Sequence, residues 1–471
     1  MILKRFYNNS LAHASYLVGC PESGEAIVVD PNRDAKQYIA AASEERLNIT
    51  AVTETHIHAD YLSGVRELAL MTGAKVYLSA EGGADWKYAF AEQDGVQLLK
   101  GDDSFKVGTV RFDVVATPGH TPEHISFVIT DESTSPVPLG VFTGDFIFVG
   151  DVGRPDLLER AAKIEGTMEA GARTLYKSIT AFKSAYPDFL LLWPAHGAGS
   201  ACGKNLGGVP VSSLGYEKAA NWALQDPSEE KFVQEILSGQ PDPPKYFAKM
   251  KELNKTGPAI LGPSMKTRPI AAEQLRSIMG RDAVLLDLRA AAEYVQNSWP
   301  DALHIPSGKG LLTWAGWLVP YETPIYLLVG SQDEADSAAS DLRLIGLDDV
   351  RGWFDMSARR DSGAEAAPVA EIGSAQIAGE DAFILDVRTN REYENGHIPG
   401  ATNIPLGHLF EGLASVPKDK RIAVHCQGGL RSPIAVSVLR RAGFADVVNV
   451  PGGFSEYESH GLPVEAAGRT S

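Results

Sequence analysis

The apolar positions in the first half of the chain form short β-branched runs, each followed by polar residues. Such runs are typical of buried strands. They predict strands at Ala26–Asp30, Ile49–Thr53, Phe112–Ala116, Gly140–Gly144 and Leu190–Ala195. Each predicted strand leads into a polar loop at its end, and these loops hold the most informative residues of the chain.

Four histidines and two aspartates lie in or just after these loops. In chain order they are His56, His58, Asp60, His120, Asp145 and His196. Imidazole and carboxylate groups together bind zinc, iron or manganese. Strand ends hold such ligands rigidly, and the set leaves coordination positions open. The pattern therefore predicts a metal site that performs chemistry.

The ordered set resembles the motif of the metallo-β-lactamase superfamily, His-x-His-x-Asp-His followed by a distant His, Asp and His. This resemblance covers about residues 1–250 and implies an αββα sandwich with the metal at one edge. Tyr61 stands where the motif has its third local histidine. The dinuclear hydrolases of the superfamily use that histidine for a second metal, and a phenol that titrates near pH 10 is a poor substitute. We therefore expect a single metal.

A single metal is also what the persulfide dioxygenase branch of the superfamily has, and the sequence resembles that branch. The resemblance implies one Fe(II) per chain on His56, His120 and Asp145, with zinc as the alternative occupant of purified protein. Two histidines and one carboxylate suit non-haem Fe(II) and leave room for substrate and oxygen. Four neighbouring residues are expected to orient the ligands or to receive protons: His58, Asp60, Tyr61 and His196.

Two further residues have open roles beside this site. The segment Gly150–Asp156 resembles the same branch, which implies that Arg154 binds the carboxylate of a thiol cofactor such as glutathione; the alternative is an ion pair within the loop. Cys202 lies in a glycine-rich loop six residues after His196. We predict that it accepts or relays persulfide sulfur, with a packed loop cysteine as the alternative.

The remainder of the chain repeats itself at an offset of 99 residues. Leu286–Arg289 matches Leu385–Arg388, and Glu293 with Tyr294 matches Glu392 with Tyr393. The repeat predicts duplicated domains, each with a parallel α/β sheet because strands and helices alternate. A chain of 471 residues is expected to hold about three domains. The predicted domains are residues 1–254, 258–362 and 366–471.

The second copy carries a cysteine in a setting that favours catalysis. The segment Ile422–Ser432 is predicted to form a strand that ends at Cys426, then a glycine-rich loop and the start of a helix. Pro433 suits an early position of that helix. The loop N–H groups, the helix N-terminus and Arg431 would face a negative charge and stabilise a thiolate or persulfide anion. The predicted persulfide loop is Gln427, Gly428, Gly429 and Leu430.

This stretch resembles the rhodanese family of sulfurtransferases, as do the flanking segments Asp386–Arg388 and Gly396–Ala401. The resemblance implies that Cys426 carries the transferred sulfur. It also implies that Arg388 and Glu392 stabilise the domain and take no part in the chemistry.

The first copy departs from that pattern. Val329 occupies the place of the cysteine, and Asp333 with Glu334 replaces the arginine region of the loop. Acidic side chains there would repel an anion, so we predict an inactive rhodanese-like module.

The three parts in this order resemble persulfide dioxygenase–rhodanese fusion proteins. The resemblance implies oxidation of a thiol persulfide, of the glutathione or coenzyme A type, by O₂ to sulfite. It also implies transfer of sulfane sulfur between persulfide, sulfite and thiosulfate, as in sulfide detoxification. Two alternatives stay open: a zinc thioester hydrolase of the glyoxalase II type with an attached thiosulfate sulfurtransferase, and a non-catalytic sulfur carrier.

The composition of the chain restricts the classes of partner that it is expected to bind. A net charge of −17 argues against nucleic acids and anionic membranes, and the apolar runs are too short to span a bilayer. Three cysteines in a chain of this length indicate a reducing compartment, so we expect a cytoplasmic protein. The family resemblance suggests self-association into a homo-oligomer.

Overall fold

The computed structural model describes residues 1–157, 159, 166–240, 242–262, 266–278, 282–363 and 366–466, with the side chain of residue 378 left out. The chain forms two compact units. The first comprises Met1–Ser264 and Arg343–Gly346, and the second comprises Met265–Leu342 and Leu347–Ser471. The boundaries of the three predicted domains stay predictions, and residues 467–471 of the third lie outside the described residues.

Two six-stranded sheets form the core of the first unit. The five strands predicted from the apolar runs are confirmed as Glu25–Val29, Asn48–Thr53, Val110–Ala116, Gly140–Gly144 and Leu191–Pro194, with ends that shift by at most two residues. The strands are β1 (Ile2–Asn8), β2 (His13–Cys20), β3 (Glu25–Val29), β4 (Asn48–Thr53), β5 (Lys75–Ser79), β6 (Gln97–Leu99), β7 (Ser104–Val107), β8 (Val110–Ala116), β9 (Ile125–Asp131), β10 (Gly140–Gly144), β11 (Leu191–Pro194) and β12 (Ser212–Ser213).

Helices cover the outer faces of both sheets. The strand orders are β1-β2-β3-β4-β5-β6 and β12-β11-β10-β9-β8-β7. Apolar residues of both sheets, such as Val18, Ile27, Phe112 and Phe127, share one inner core, and two outer cores lie against the helices. This is the predicted αββα sandwich. The helices are α1 (Ala35–Glu44), α2 (Val65–Thr72), α3 (Thr167–Ala185), α4 (Leu214–Ala220), α5 (Glu229–Leu237) and α6 (Tyr246–Thr256).

The second unit contains two smaller sheets whose strand pairs run parallel, as predicted. The first copy has the order β14-β13-β15-β16 and the second β17-β21-β20-β18-β19. The strands are β13 (Val284–Asp287), β14 (Ala302–His304), β15 (Ile325–Leu328), β16 (Val350–Phe354), β17 (Ala370–Glu371), β18 (Ala382–Asp386), β19 (Thr402–Asn403), β20 (Arg421–His425) and β21 (Val447–Asn449).

Short helices connect these strands. Among all the helices described, none combines the length and the apolar character needed to cross a membrane. The helices of the second unit are α7 (Ala272–Ile278), α8 (Ala291–Gln296), α9 (Leu311–Leu318), α10 (Gln332–Arg343), α11 (Met356–Asp361), α12 (Asn390–Asn395), α13 (Leu409–Gly412), α14 (Ser432–Arg441) and α15 (Gly453–Ser459).

The two copies share a buried ion pair at the end of their first long strand. Arg289 donates to Asp287 and to the carbonyl of Asn297. At the same offset of 99 residues, Arg388 donates to Asp386 and to the carbonyl of Gly396. Equivalent contacts at equivalent positions are the structural counterpart of the sequence repeat.

Helix α14 packs against both copies. Its residues from Ser432 to Leu439 are all buried. The Ser437 hydroxyl accepts a hydrogen bond from the backbone N–H of His304 on β14, and Arg440 donates to the Ser298 hydroxyl. The cysteine-free copy therefore supports the helix that begins at the end of the Cys426 loop.

Truncation of Phe127 tests the contribution of the inner core of the sandwich to stability. The ring is fully buried, so Phe127→Ala is expected to lower the free energy of unfolding by about 3–5 kcal/mol through lost burial and a residual cavity. Urea unfolding followed by tryptophan fluorescence measures the loss. The control is Phe189→Ala, because Phe189 is 58% exposed and its truncation is expected to cost less than about 0.5 kcal/mol. Equal losses in the two variants would contradict this view of the core.

Candidate metal centre and cysteine loop

Three side chains predicted as metal ligands converge in the first unit. His56, His120 and Asp145 are all buried, and one ligand atom from each lies within 4.8 Å of the others. Asp145 Oδ2 is 3.9 Å from His56 Nε2 and 3.4 Å from His120 Nε2. Ligand atoms that bind one ion at about 2.1 Å lie about 3–3.4 Å apart. The spacing therefore suits a single ion with little movement of the side chains.

The orientation of both imidazoles is fixed by a contact at Nδ1, the ring nitrogen that does not face Asp145. His120 Nδ1 donates to the carbonyl of Arg154 at 2.9 Å. His56 Nδ1 lies 3.0 Å from the Thr55 hydroxyl, which itself donates to Asp30. In each ring the Nε2 lone pair is left to face Asp145, as is usual for metal-binding histidines.

The charge states of the three groups also suit a cation. Burial, reinforced by neighbouring histidines, holds the pKa of His56 well below its usual value, and burial lowers the pKa of His120. Burial alone would raise the pKa of Asp145, but His196 and His120 outweigh it and lower that pKa. Neutral imidazoles beside an ionised carboxylate are the forms that bind a metal.

A second cluster adjoins the first. Asp60, His196 and Cys202 are buried and offer three ligand atoms within 4.8 Å of one another. His196 Nε2 lies 3.3 Å from Asp60 Oδ2 and 3.4 Å from Asp145 Oδ1. Within the described part of the chain, His196 Nε2, Asp60 Oδ2 and Asp145 Oδ1 have no hydrogen-bond partner. Buried polar atoms are normally satisfied, so their convergence marks a place for a cation.

His58 takes a different role from the neighbouring histidine. Its Nε2 lies 3.2 Å from Asp30 Oδ1. Burial lowers the pKa of His58, but the hydrogen bond and charge of Asp30, aided by Glu54 and Asp60, outweigh burial and raise the pKa to about 9. The contact with Asp30 therefore favours the protonated form of His58.

Sequence reasoning missed Asp30 as a site residue. Its carboxylate accepts the Thr55 N–H at 2.6 Å as well as the Thr55 hydroxyl and His58. The backbone of Asp30 has φ 53°, a strained conformation of the kind that clusters at functional sites. The available signal was a carboxylate directly after the apolar run Ala26–Val29.

His13 was also missed, and it packs against Tyr61. The two ring centroids are 4.0 Å apart, and Tyr61 lies 4.5 Å from the His58 ring while its hydroxyl donates to the carbonyl of Asp30. Neither ring nitrogen of His13 has a hydrogen-bond partner among the described residues. Tyr61 therefore fills the space beside the ligands with an aromatic ring. A lone histidine in β2 gave no motif that could have revealed His13.

Arg154 is fully buried and forms the ion pair that the sequence left as the alternative. Its Nε and Nη2 donate to both carboxylate oxygens of Asp156, at 2.7 and 2.6 Å, and Nη1 donates to the carbonyl of Ala201. Since the Arg154 carbonyl also accepts from His120, this residue orients a predicted metal ligand through its backbone.

Cys202 lies against the carboxylates of the site. Burial, with the charges of Asp145 and Asp60, raises the pKa of its thiol well above the usual value. The thiol therefore stays protonated at neutral pH unless a cation binds beside it.

In the second unit, the loop after β20 curls around Cys426 as predicted. The N–H groups of Gly429 and Arg431 point at the sulfur, at 3.1 and 3.3 Å, and the Ser432 hydroxyl lies 3.8 Å away. Helix α14 begins at Ser432. The sulfur itself is buried, whereas Leu430 in the same loop is 78% exposed. Backbone donors arranged in this way stabilise a negative charge on sulfur.

The side chain of Arg431 does not contact the sulfur directly but pairs with Glu392. Its two terminal nitrogens donate to the two carboxylate oxygens at 2.8 and 2.6 Å. Glu392 also completes a capping box with Thr389 at the start of α12. Arg388 supports the loop from the other side by donating to the Gln427 side chain.

The first copy replaces this arrangement with a carboxylate of its own. Val329 is buried where the cysteine would be, and Glu334 accepts the N–H of Gly330 at 2.9 Å. The N–H of the residue that follows Val329 is thus occupied by a side chain of the same copy.

The ion pair of Glu392 gives a pH-dependent prediction. Burial would raise the pKa of Glu392, but the hydrogen bond from Arg431 outweighs it and lowers the pKa from 4.5 to about 2. The pair therefore stabilises the fold above pH 4.5, and this contribution disappears as the pH falls toward 2. Glu392→Gln is expected to lower the free energy of unfolding by about 1 kcal/mol at pH 7, after allowance for solvent screening.

Thermal unfolding between pH 7 and 3 measures this difference, which should shrink below about pH 4.5. The control is Glu394→Gln, since Glu394 is exposed on the same helix. A stability difference that stays constant across this pH range would contradict the assigned ion pair.

Comparisons with known proteins match two parts of the chain to two domain families. Residues 9–190 match the metallo-beta-lactamase superfamily, and residues 370–460 match the rhodanese-like domain. A crystal structure of a metallo-beta-lactamase from Staphylococcus aureus is 41% identical, with a TM-score of 0.69, and the match covers 75% of this chain and 99% of that one.

Two curated relatives match different parts of the chain. Persulfide dioxygenase ETHE1 of Bos taurus is 29% identical over 234 residues, which is 49% of this chain and 78% of the relative. A sulfurtransferase of Allochromatium vinosum is 34% identical over 87 residues, which is 18% of this chain and 81% of the relative. From the structural match and both domain matches, the chain belongs to the metallo-beta-lactamase superfamily and carries a rhodanese-like domain in its C-terminal part.

Proposed function

We propose that the protein is a non-haem iron persulfide dioxygenase coupled to a sulfurtransferase. The observation that carries the proposal is the buried group of two histidines and one carboxylate, His56, His120 and Asp145. This donor set suits Fe(II) and leaves positions for two reactants. The similarity to persulfide dioxygenases and to a sulfurtransferase supports the same pair of activities.

The proposed reaction consumes a thiol persulfide of the glutathione or coenzyme A type. In balanced form, RSSH + O₂ + H₂O gives RSH + H₂SO₃, so the terminal sulfur is oxidised and O₂ is reduced. Bound Fe(II) would supply the redox chemistry that joins oxygen to sulfur. The chain supplies orientation: His120 is fixed by the Arg154 carbonyl, and His56 by Thr55.

Cys426 would perform the second activity. Its thiolate takes the terminal sulfur of a persulfide and releases the thiol, which leaves a Cys426 persulfide. Sulfite then attacks that outer sulfur, the S–S bond to Cys426 breaks, and thiosulfate leaves. The N–H groups of Gly429 and Arg431 point at Cys426 Sγ, and the same loop would stabilise the anionic outer sulfur of the persulfide. The fusion keeps the sulfite that the first unit forms near its acceptor.

One observation favours a second candidate, a zinc thioester hydrolase of the glyoxalase II type. Although Tyr61 removes the usual histidine, Asp60, His196 and Cys202 form a second ligand group beside the first. Two zinc ions per chain with thioester turnover would support this candidate, whereas about one iron with oxygen uptake would support the dioxygenase.

Metal content measured together with oxygen uptake tests the proposal. Purified protein reloaded with Fe(II) is expected to hold about one iron per chain and to consume oxygen with glutathione persulfide while sulfite or thiosulfate forms. His120→Ala should lose both the iron and the oxygen uptake. Cys426→Ser should keep both, but its thiosulfate formation from persulfide and sulfite should fall by about 1000-fold or more. Iron-loaded protein that consumes no oxygen with several persulfides would overturn the dioxygenase proposal.

Cys202→Ser tests the sulfur relay. The relay predicts slower oxygen uptake and a changed ratio of sulfite to thiosulfate, with iron still at about one per chain. Cys20→Ser is the control because Cys20 lies at the end of β2 in the inner core. Unchanged uptake and product ratio in Cys202→Ser would leave Cys202 as a packed loop cysteine.

A further inference from the structure

We propose that Asn254 on α6 is a positioning residue for the metal centre. It fixes the backbone of residues 58–63, the part of the loop that carries His58 and Asp60 and continues from His56. The inference rests on the metal site of the proposed function. It concerns a residue beyond positions 9–190, the part of the chain that matches the superfamily.

The loop between β4 and α2 is irregular yet buried, so its backbone N–H groups need acceptors from elsewhere. Three side chains from separate parts of the first unit supply them. Asp30 accepts the N–H of Thr55 at 2.6 Å, Glu123 accepts that of Ile57 at 2.8 Å, and Asn254 accepts that of Ser63 at 2.9 Å. The shape of the ligand loop is thus set by side chains that are distant in sequence.

Asn254 contributes more than an acceptor. Its Nδ2 donates to the carbonyls of His58 at 2.8 Å and Tyr61 at 2.7 Å. These two residues flank the Asp60 segment, and Asn254 itself is 1% exposed. An amide can donate twice and accept at the same time, whereas a carboxylate only accepts. The pattern of contacts therefore requires asparagine at this position.

Loss of the contacts of Asn254 is expected to weaken metal binding. If the loop relaxes, the ligand atoms must be brought together again when the metal binds, and that ordering opposes binding. Groups that orient metal ligands from outside typically change metal affinity by about 10–100-fold when they are removed. Asn254 acts through the backbone of the loop, so its loss is expected to change metal binding more than a general loss of stability would.

Two variants of the full-length protein separate positioning from folding. Asn254→Asp keeps the shape and the acceptor but turns an oxygen toward two carbonyl oxygens. Asn254→Leu removes all three hydrogen bonds at similar volume. Both are expected to bind Co²⁺ and Zn²⁺ about 10–100-fold more weakly in chelator competition and to show shifted visible bands when loaded with Co²⁺. The control is Met250→Leu, a buried site on the same helix, which should lower stability slightly without changing metal affinity.

A measurement on the unmodified protein covers the case in which the variants fail to fold. Coupling is reciprocal, so metal binding should slow amide hydrogen exchange in α6, whereas α5 on the second sheet should change little. Folded variants with unchanged affinity and Co²⁺ spectrum, or exchange in α6 that metal does not alter, would overturn the role of Asn254. A wild-type protein that binds no divalent metal would instead refute the proposed function itself.

Discussion

Charge buried away from water is the constraint on which the first unit depends. Asp30, Asp60 and Asp145 are all buried. Asp30 lies within a few ångströms of the His58 ring, and Asp60 and Asp145 lie within a few ångströms of the His196 ring. The protonated form of His58 offsets one of these carboxylates. The other two face imidazoles, of which His56 and His120 are neutral at pH 7. Since isolated buried charge is costly, a divalent cation among these side chains would complete the balance.

The same constraint explains the difference between the two rhodanese-like copies. A loop whose N–H groups converge needs an anion to satisfy them. In the second copy the sulfur of Cys426 fills that position. In the first copy the carboxylate of Glu334 accepts the N–H of Gly330, so one donor of this loop is satisfied by a side chain of the same copy. The first copy thus has a buried valine in place of the cysteine and a carboxylate of its own bonded to the following loop.

Sequence reasoning succeeded where local pattern carries the information. The strands followed from β-branched runs, the convergence of His56, His120 and Asp145 from their order along the chain, and the duplication from a fixed offset. It could not find Asp30, Glu123 or Asn254, because their contacts join residues that are 25, 66 and 191 positions apart. A single buried amide on a helix has no periodic signature. For Arg154 the sequence offered both roles, and only the direction of the side chain toward Asp156 shows which contact is formed.

Helix α14 has a consequence for the modularity of the chain. Because Ser432–Leu439 are buried along the whole run, with Ser437 bonded to the edge strand β14, this helix is an interior element of the second unit. Separating the two copies would therefore expose the flank of α14 that packs against β14 to water, and it would leave the N–H of His304 without the acceptor that Ser437 provides.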